Sequence, residues 1–386
     1  MPRVAVAGGG IAGLVLALEL RRLGAAVTVV ERRYPGAGNS TRNVGRVRRM
    51  QLTPDLTAFS CAASDTWREL DELMGGRNPL LYPTTYAWVL YDAAEVDHVA
   101  PLQPIWDEHG ARARIVGAGD VTKALPVLRG GEPVAGAVFG EAAIVHHDAA
   151  VHGCYLACMD AGVEFRFGRT AVGIERRSGV MAGLVLDDGT VVAADAVVNA
   201  AGGESADLAL RCGARAPNRP KRREVLVTEP SQPFMSHAVT FYRPVEGWFN
   251  QTLRGELVAG VVDADEEPGY TEASSLRFLG RTARVVLGKA PRLGELKVIR
   301  QWAGVYDITP DKRPLVGQYP EVPGLYALNG WSGRGIAFGP LAARLLAREI
   351  AGRGRDALLE PFDPQRFSGV DLSSQSETDY YAGYSH

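Results

Sequence analysis

Three groups of residues have the types and spacing to do chemistry. Gly8, Gly10 and Gly13 form a G-x-G-x-x-G run, with Ile11 and Ala12 completing the start of a helix. In such a run the first glycine makes a tight turn, the second lets a pyrophosphate approach the backbone, and the third lets the helix pack closely on a sheet. The free N–H groups of the helix start then face the phosphates. Glu31 lies 18 residues past Gly13, at the end of the next strand, where its carboxylate can accept from ribose hydroxyls and disfavours the 2'-phosphate of NADP. The second group is the loop from Arg32 to Arg49, rich in glycine and arginine. Small residues beside a dinucleotide site allow close approach to a flat ring, and fork-shaped guanidinium groups capture anions. The third is a second glycine turn, Gly330-Trp-Ser-Gly-Arg-Gly335, near the other end of the chain.

The elements that must position these groups can be read in order. Val4 and Val6, set among alanines, suit a strand buried on both faces, and an apolar helix runs from Ile11 to Leu23. Ser60 to Leu73 has helical spacing, and Leu80 to Asp92 is an aromatic, strand-like run. Gly117 to Ala124 reads as a helix start, and Asp148 as the cap of a helix through Gly162. Strands follow at Val163–Phe167, Ala171–Glu175 and Met181–Leu186, then a hairpin turn at Asp187-Asp-Gly189. The run from Val191 reads as one buried strand ending in Ala200, Ala201 and Gly202, small residues that again permit close approach to a cofactor. Past Pro217, short alternating segments (Glu224–Thr228, Val239–Arg243, Gly247–Thr252, Leu257–Val262) predict an antiparallel sheet. A helix from about Ser274 to Val286, a return to the first domain over Leu296–Tyr306, a strand Gly324–Asn329 and a helix Pro340–Ile350 close the chain.

Composition narrows the class. A chain of 386 residues is long for one core and predicts two domains or a large insertion. The net charge of −2 gives no general electrostatic reason for nucleic-acid or membrane binding, although Arg46–Arg49 and Lys221–Arg223 are local basic clusters. No apolar run reaches the roughly 18 residues of a membrane span, and the first strand starts at once, so a cytoplasmic protein is expected. The four cysteines have no zinc-like spacing, so no metal site is expected; Cys154 and Cys158 read as small apolar residues on one helix face.

Taken together these blocks resemble the D-amino-acid-oxidase-like superfamily of FAD amine oxidoreductases, most closely its sarcosine oxidase branch and the beta subunits of multi-subunit sarcosine oxidases and amino-acid dehydrogenases. The resemblance is carried by Gly8–Gly13 with Glu31, by Asn43-Val-Gly-Arg-Val-Arg48, by Val197–Gly202, and by Arg300–Asp311 with Asn329–Gly335. It implies an α/β fold: a Rossmann-like, glutathione-reductase-like FAD-binding domain, with a second α+β substrate domain built on an antiparallel sheet. The implied division is discontinuous, with 1–80, 143–217 and 303–368 binding FAD, 81–142 and 218–302 forming the substrate domain, and 369–386 a disordered tail. It assigns FAD binding to Gly8, Gly10, Ile11, Ala12, Gly13, Glu31, Arg32, Asn43, Val44, Gly45, Arg46, Ala200, Ala201, Gly202, Gly330, Gly333, Arg334, Gly335 and Ile336.

The implied reaction removes a hydride from the carbon beside an amine nitrogen to flavin N5, after which the imine is hydrolysed. Arg46, Arg49 and Arg334 are the candidates for the substrate carboxylate, a strand across this stretch turning Arg48 away; Tyr306, Trp331, Tyr242 and Trp248 are candidate pocket walls. Departures from the pattern refine this. Tyr306 stands where glycine oxidase and D-amino-acid oxidase have an arginine, favouring a secondary or N-substituted amine. Gly304 stands where monomeric sarcosine oxidases attach FAD, implying non-covalent FAD. Ala337 and Val258 align with a substrate-binding and an oxygen-activating lysine, leaving oxidase against dehydrogenase open. His147, before Asp148 and beside His146, matches the FMN-carrying histidine of some beta subunits, a minor alternative to an ordinary helix start. Competing readings are a flavin monooxygenase, disfavoured by the lack of a Gly-Asp-Ala motif near the C-terminus, an electron-relaying subunit with a partner, and a pathway-specific enzyme for a tailored amine.

Overall fold

In the computed structural model, which describes residues 2–370, the chain forms two main sheets and a small one. The first has six strands in the order Leu315–Gln318, Leu325–Asn329, Ala196–Asn199, Arg3–Ala7, Ala26–Glu31 and Glu164–Phe167. All its neighbours are parallel except the first pair, so its central strands are buried on both faces, as the Val/Ala run of Arg3–Ala7 requires. The helices Ile11–Arg22, Pro54–Leu73, His147–Asp160 and Gly335–Ile350 share one apolar core against it.

The second main sheet has nine strands, antiparallel except where His237–Phe241 runs beside Leu81–Leu90. Its outer strand is Arg46–Arg48, which pairs with Ala142–Ile144. The arginine loop thus leaves the six-stranded layer and ends as a strand of the nine-stranded sheet, which ties it to both. At the opposite edge Val298–Ile308 pairs with Arg219–Pro230 through Ile308. The return to the first layer therefore falls after Ile308 and not near residue 303, because the ladder of hydrogen bonds continues to that point.

Three local readings are corrected. The run from Val191 is two strands: Val191–Ala193 belongs to the three-stranded sheet and Ala196–Asn199 to the six-stranded one. The switch is anchored by Asp195, which accepts from the Arg3 backbone N–H at 2.8 Å and its guanidinium at 2.7 Å. His146, not Asp148, caps the next helix, its Nδ1 accepting from the Ala149 N–H at 3.4 Å, while Asp148 lies one residue inside. The last helix starts at Gly335, with Pro340 inside it. Proline at that point has no N–H for the Ile336 carbonyl four residues back. The buried Trp67 indole supplies the missing donor, reaching the Ile336 and Ala337 carbonyls at 3.0 and 3.2 Å. The tail expected at 369–386 lies, from residue 371 on, outside the described residues.

Trp67→Phe keeps an aromatic ring but removes that donor from a buried carbonyl pair. We expect a loss of about 1–3 kcal/mol in stability by urea unfolding.

Candidate active site

The dinucleotide cradle is built where Arg3–Ala7 ends. Gly8 has φ +115°, and a Cβ there would lie 2.4 Å from the Ala200 carbonyl oxygen. A Cβ on Gly13 would lie 2.1 Å from the Gly8 carbonyl oxygen, so the helix can seat on the turn only with glycine at that point. No side chain on N-cap Gly10 closes the helix start; Ser40 Oγ accepts the Ile11 N–H at 2.9 Å. Glu31 is buried at the end of its strand and accepts from the backbone N–H groups of Gly9 and Arg33, both at 2.9 Å. Those bonds hold the carboxylate at the cavity wall, where remaining lone pairs face the space a ribose would fill.

The second glycine turn brings another helix start to the same cavity. Gly330 and Gly333 have φ of +71° and +89°, and a Cβ on Gly333 would lie 2.5 Å from the Tyr306 ring. Asp307, buried, accepts from the Gly330 N–H at 2.7 Å, and its backbone carbonyl accepts from the Ser332 N–H. Burial pushes the Asp307 carboxyl up to about 7, against the pull of the backbone N–H groups. The helix that follows carries no capping side chain and packs on the first helix through small residues: a Cβ on Gly339 would lie 3.2 Å from that of Ala12.

A second cavity adjoins the first, and Asn39, Asn43, Tyr306, Gly333 and Ile336 line both. Its wall carries seven cations (Arg42, Arg46, Arg48, Lys221, Arg223, Lys312, Arg334) against three acids (Glu224, Glu246, Asp263), so the space favours an anion. Arg46 stands at its base. Its guanidinium donates to Asn250 Oδ1 at 2.8 and 3.1 Å, to Thr240 Oγ1 at 3.0 Å and to the Val239 carbonyl, with Trp248 under it at 5.0 Å. All these partners are neutral. Burial pulls its pKa down to about 10, so the cation persists at neutral pH and is held in a fixed orientation.

The expected residues divide cleanly. Gly8, Gly10, Ile11, Ala12, Gly13, Glu31, Arg32, Ala200, Ala201, Gly202, Trp331 and Gly335 line the first cavity; Val44, Gly45, Arg46 and Arg334 line the second; Asn43, Tyr306, Gly333 and Ile336 line both. Gly330 acts behind the wall, through its turn. Arg49 does not belong: buried, it donates to Asp65 at 2.7 Å and to the Gly110 carbonyl. Arg48 replaces it, because alternation along Arg46–Arg48 puts these two on one face and Val47 in the core. Arg48 lies over Tyr86 and shares Gln51 Oε1 with Arg334. Tyr242 and Trp248 line the second cavity as expected, whereas Val258 lines neither. Gln51 and Glu246 on this wall were not singled out from the sequence and Arg223 only as part of a basic cluster, while Arg48, expected to turn away, lines the cavity because the strand period puts it on the same face as Arg46. His146 and His147 line neither cavity. Among the described residues no cluster of His, Cys, Asp or Glu could hold a metal ion, and no helix is long and apolar enough to cross a membrane.

Two helix starts with no capping side chain at the N-cap, glycine turns where a Cβ would strike neighbouring backbone or ring atoms, and a carboxylate held at the cavity wall fit a flavin dinucleotide, and the residues present fit FAD. Residues 3–349 match the family model described as FAD dependent oxidoreductase, and the chain belongs to that family. It is 26% identical to sarcosine oxidase subunit beta of Rhodobacter capsulatus, over 99% of this chain and 92% of that protein. It is 25% identical to D-amino acid dehydrogenase of Methylobacterium nodulans, over 95% and 99%. Among solved structures, L-proline dehydrogenase from P. horikoshii superposes with a TM-score of 0.88 at 24% identity, covering 95% of this chain and 98% of that one.

A carboxyl whose pKa is raised on folding takes up a proton when the chain folds, so Asp307 disfavours the folded state as pH rises from about 4 toward its folded value of about 7. Asp307→Asn keeps an acceptor for Gly330. Its unfolding free energy is expected to fall less steeply than the wild type's over that window, as read by denaturant titrations at several pH values.

Proposed function

We propose that this oxidoreductase breaks the C–H bond beside the nitrogen of an amine or amino acid, with a secondary or N-substituted amine favoured, and releases an imine for hydrolysis. The single observation that carries the reading is Arg46: a half-buried guanidinium with only neutral hydrogen-bond partners, in a cation-rich cavity that adjoins the first cavity. Bound FAD supplies the hydride acceptor. The chain's own work is to hold a substrate carboxylate on Arg46, enclose the reacting carbon between Tyr306 and the sheet, and keep out water. Gly8–Gly13 and Glu31 hold the adenosine diphosphate half of FAD, and the Gly330–Gly335 turn with the following helix start faces the ring. Non-covalent binding is supported at Gly304, where a Cβ would lie 2.6 Å from Asn39 Oδ1, leaving no room for a linking side chain.

A second reading, a subunit that works with a partner, is favoured by the similarity to sarcosine oxidase subunit beta along nearly its whole length. The two readings share the same site and differ in where electrons go next.

Anaerobic addition of sarcosine, L-proline, glycine and D-alanine in turn is expected to bleach the flavin band with at least one of them, and the rate of recovery in air separates oxidase from dehydrogenase. Arg46→Ala is expected to weaken apparent binding of that substrate by about 30-fold or more, because a buried carboxylate loses its charged partner. Arg49→Ala is expected to leave it within a few-fold and to lower stability instead. Equal effects of both variants, or no bleaching by any amine, would remove the assignment.

A further inference from the structure

Glu246 has no task in the scheme so far. It precedes the strand Gly247–Gln251, and its carbonyl accepts from the Val262 N–H at 2.7 Å, so the ladder already holds it in strand geometry. Alternation then puts Glu246, Trp248 and Asn250 on one face of the sheet, with Gly247 on the other, where a Cβ would strike the Phe241 ring at 2.4 Å. Trp248 and Asn250 are the residues on which Arg46 rests. Glu246 therefore lines the cavity about 7 Å along the strand from the residue under the guanidinium.

The other two acids of the cavity are occupied. Glu224 accepts from the Ser275 N–H and hydroxyl, and Asp263 pairs with Arg281 and, at 3.6 Å, Arg277. Glu246 alone of the three has neither a side-chain hydrogen bond nor an ion pair within 4 Å among the described residues, although it is half-buried in the cavity wall. When a ligand fills the cavity and displaces water, a carboxylate with no donor from the protein needs one from the ligand.

The charged and titratable groups that face it come from every element around the cavity. Arg48 lies on the outer strand, and Lys221, Arg223 and Tyr306 on the opposite edge pair; Lys312 and Arg334 come from the C-terminal segment, and Tyr242 from the adjacent strand. Burial pushes the Glu246 carboxyl up, and Arg223, Arg48, Lys312 and Arg334 pull it back. A carboxyl in that balance is better matched to a proton-accepting role than an ordinary surface glutamate.

We propose that Glu246 receives the amine end of the substrate: its carboxylate binds the ammonium nitrogen and takes one proton from it. The N–H bond breaks, its electron pair stays on nitrogen, and an O–H bond forms on Glu246. The neutral amine is the form from which a hydride can leave, since a cationic nitrogen has no lone pair to stabilise the developing imine. The substrate class this selects is a zwitterion, its carboxylate on Arg46 and its amine at Glu246. An amine-free acid satisfies only one end.

This inference rests on the amine-oxidation reading, and its test separates the two. The FAD-loaded protein and its Glu246→Gln and Glu246→Asp variants, each first checked for flavin content, are mixed anaerobically with the amine that bleaches the wild type, from pH 6 to pH 10. Acetate binding is followed in parallel by its perturbation of the flavin spectrum. Near pH 7 Glu246→Gln is expected to be bleached about 100-fold more slowly. Its rate should then climb about tenfold per pH unit, since deprotonation of the amine is left to solution. Glu246→Asp should recover part of the rate, and acetate binding should be undiminished in Glu246→Gln. A Glu246→Gln profile that overlays the wild type, or equal weakening of acetate and amine, overturns the proposal while leaving amine oxidation intact. A wild type that no amine bleaches overturns both.

Discussion

The site depends on the close seating of two helices whose starts must reach one cavity. The helices Ile11–Arg22 and Gly335–Ile350 come from opposite ends of the sequence and approach through Ala12 and Gly339, residues small enough to let the backbones meet. Each helix start carries a partial positive charge, which on the proposed reading suits the diphosphate at the first, beside the Ile11 N–H that Ser40 accepts, and a ring that gains negative charge at the other. Asp307 holds the second turn by accepting the Gly330 N–H, and Trp67 repairs the helix where Pro340 interrupts it. A larger residue at the crossing would separate the two starts and divide the cofactor site.

The substrate side follows from a different constraint, the pairing of Arg46–Arg48 with Ala142–Ile144. That short strand ties the loop that leaves the dinucleotide site to the nine-stranded sheet, and its alternation decides which cations enter the cavity. Arg46 and Arg48 point in, Val47 enters the core, and Arg49 leaves toward Asp65. Because Arg46 is held by Asn250, Thr240 and Val239, its charge is available without a carboxylate from the protein. On the proposed reading this is a pre-oriented anion site beside the flavin, which reduces what the substrate must organise for itself.

Much of this was legible in the sequence because local chemistry dictates it. Gly8, Gly10, Gly13 and Glu31 announce themselves by spacing, and the glycine turn at 330–335 does so because its backbone angles admit little else. The parallel sheet followed from the Val/Ala strands, and the antiparallel sheet from the alternating segments beyond Pro217. What could not be read depends on partners distant in sequence. Arg49 is drawn out of the site by Asp65 and the Gly110 carbonyl, Pro340 is tolerated because Trp67 lies against it, and Val191–Asn199 is split by the bond of Asp195 to Arg3. Glu246 carries no local signal at all. Its interest arises from having no partner among groups that three other elements bring to it.

The most direct measurement is a crystal structure of the FAD-loaded protein with acetate bound. The account predicts the flavin ring at the junction lined by Tyr306, Gly333 and Ile336, with the acetate carboxylate on Arg46 in the adjoining cavity. A ring lying elsewhere, or acetate seated away from Arg46 with the second cavity filled only by water, would contradict it.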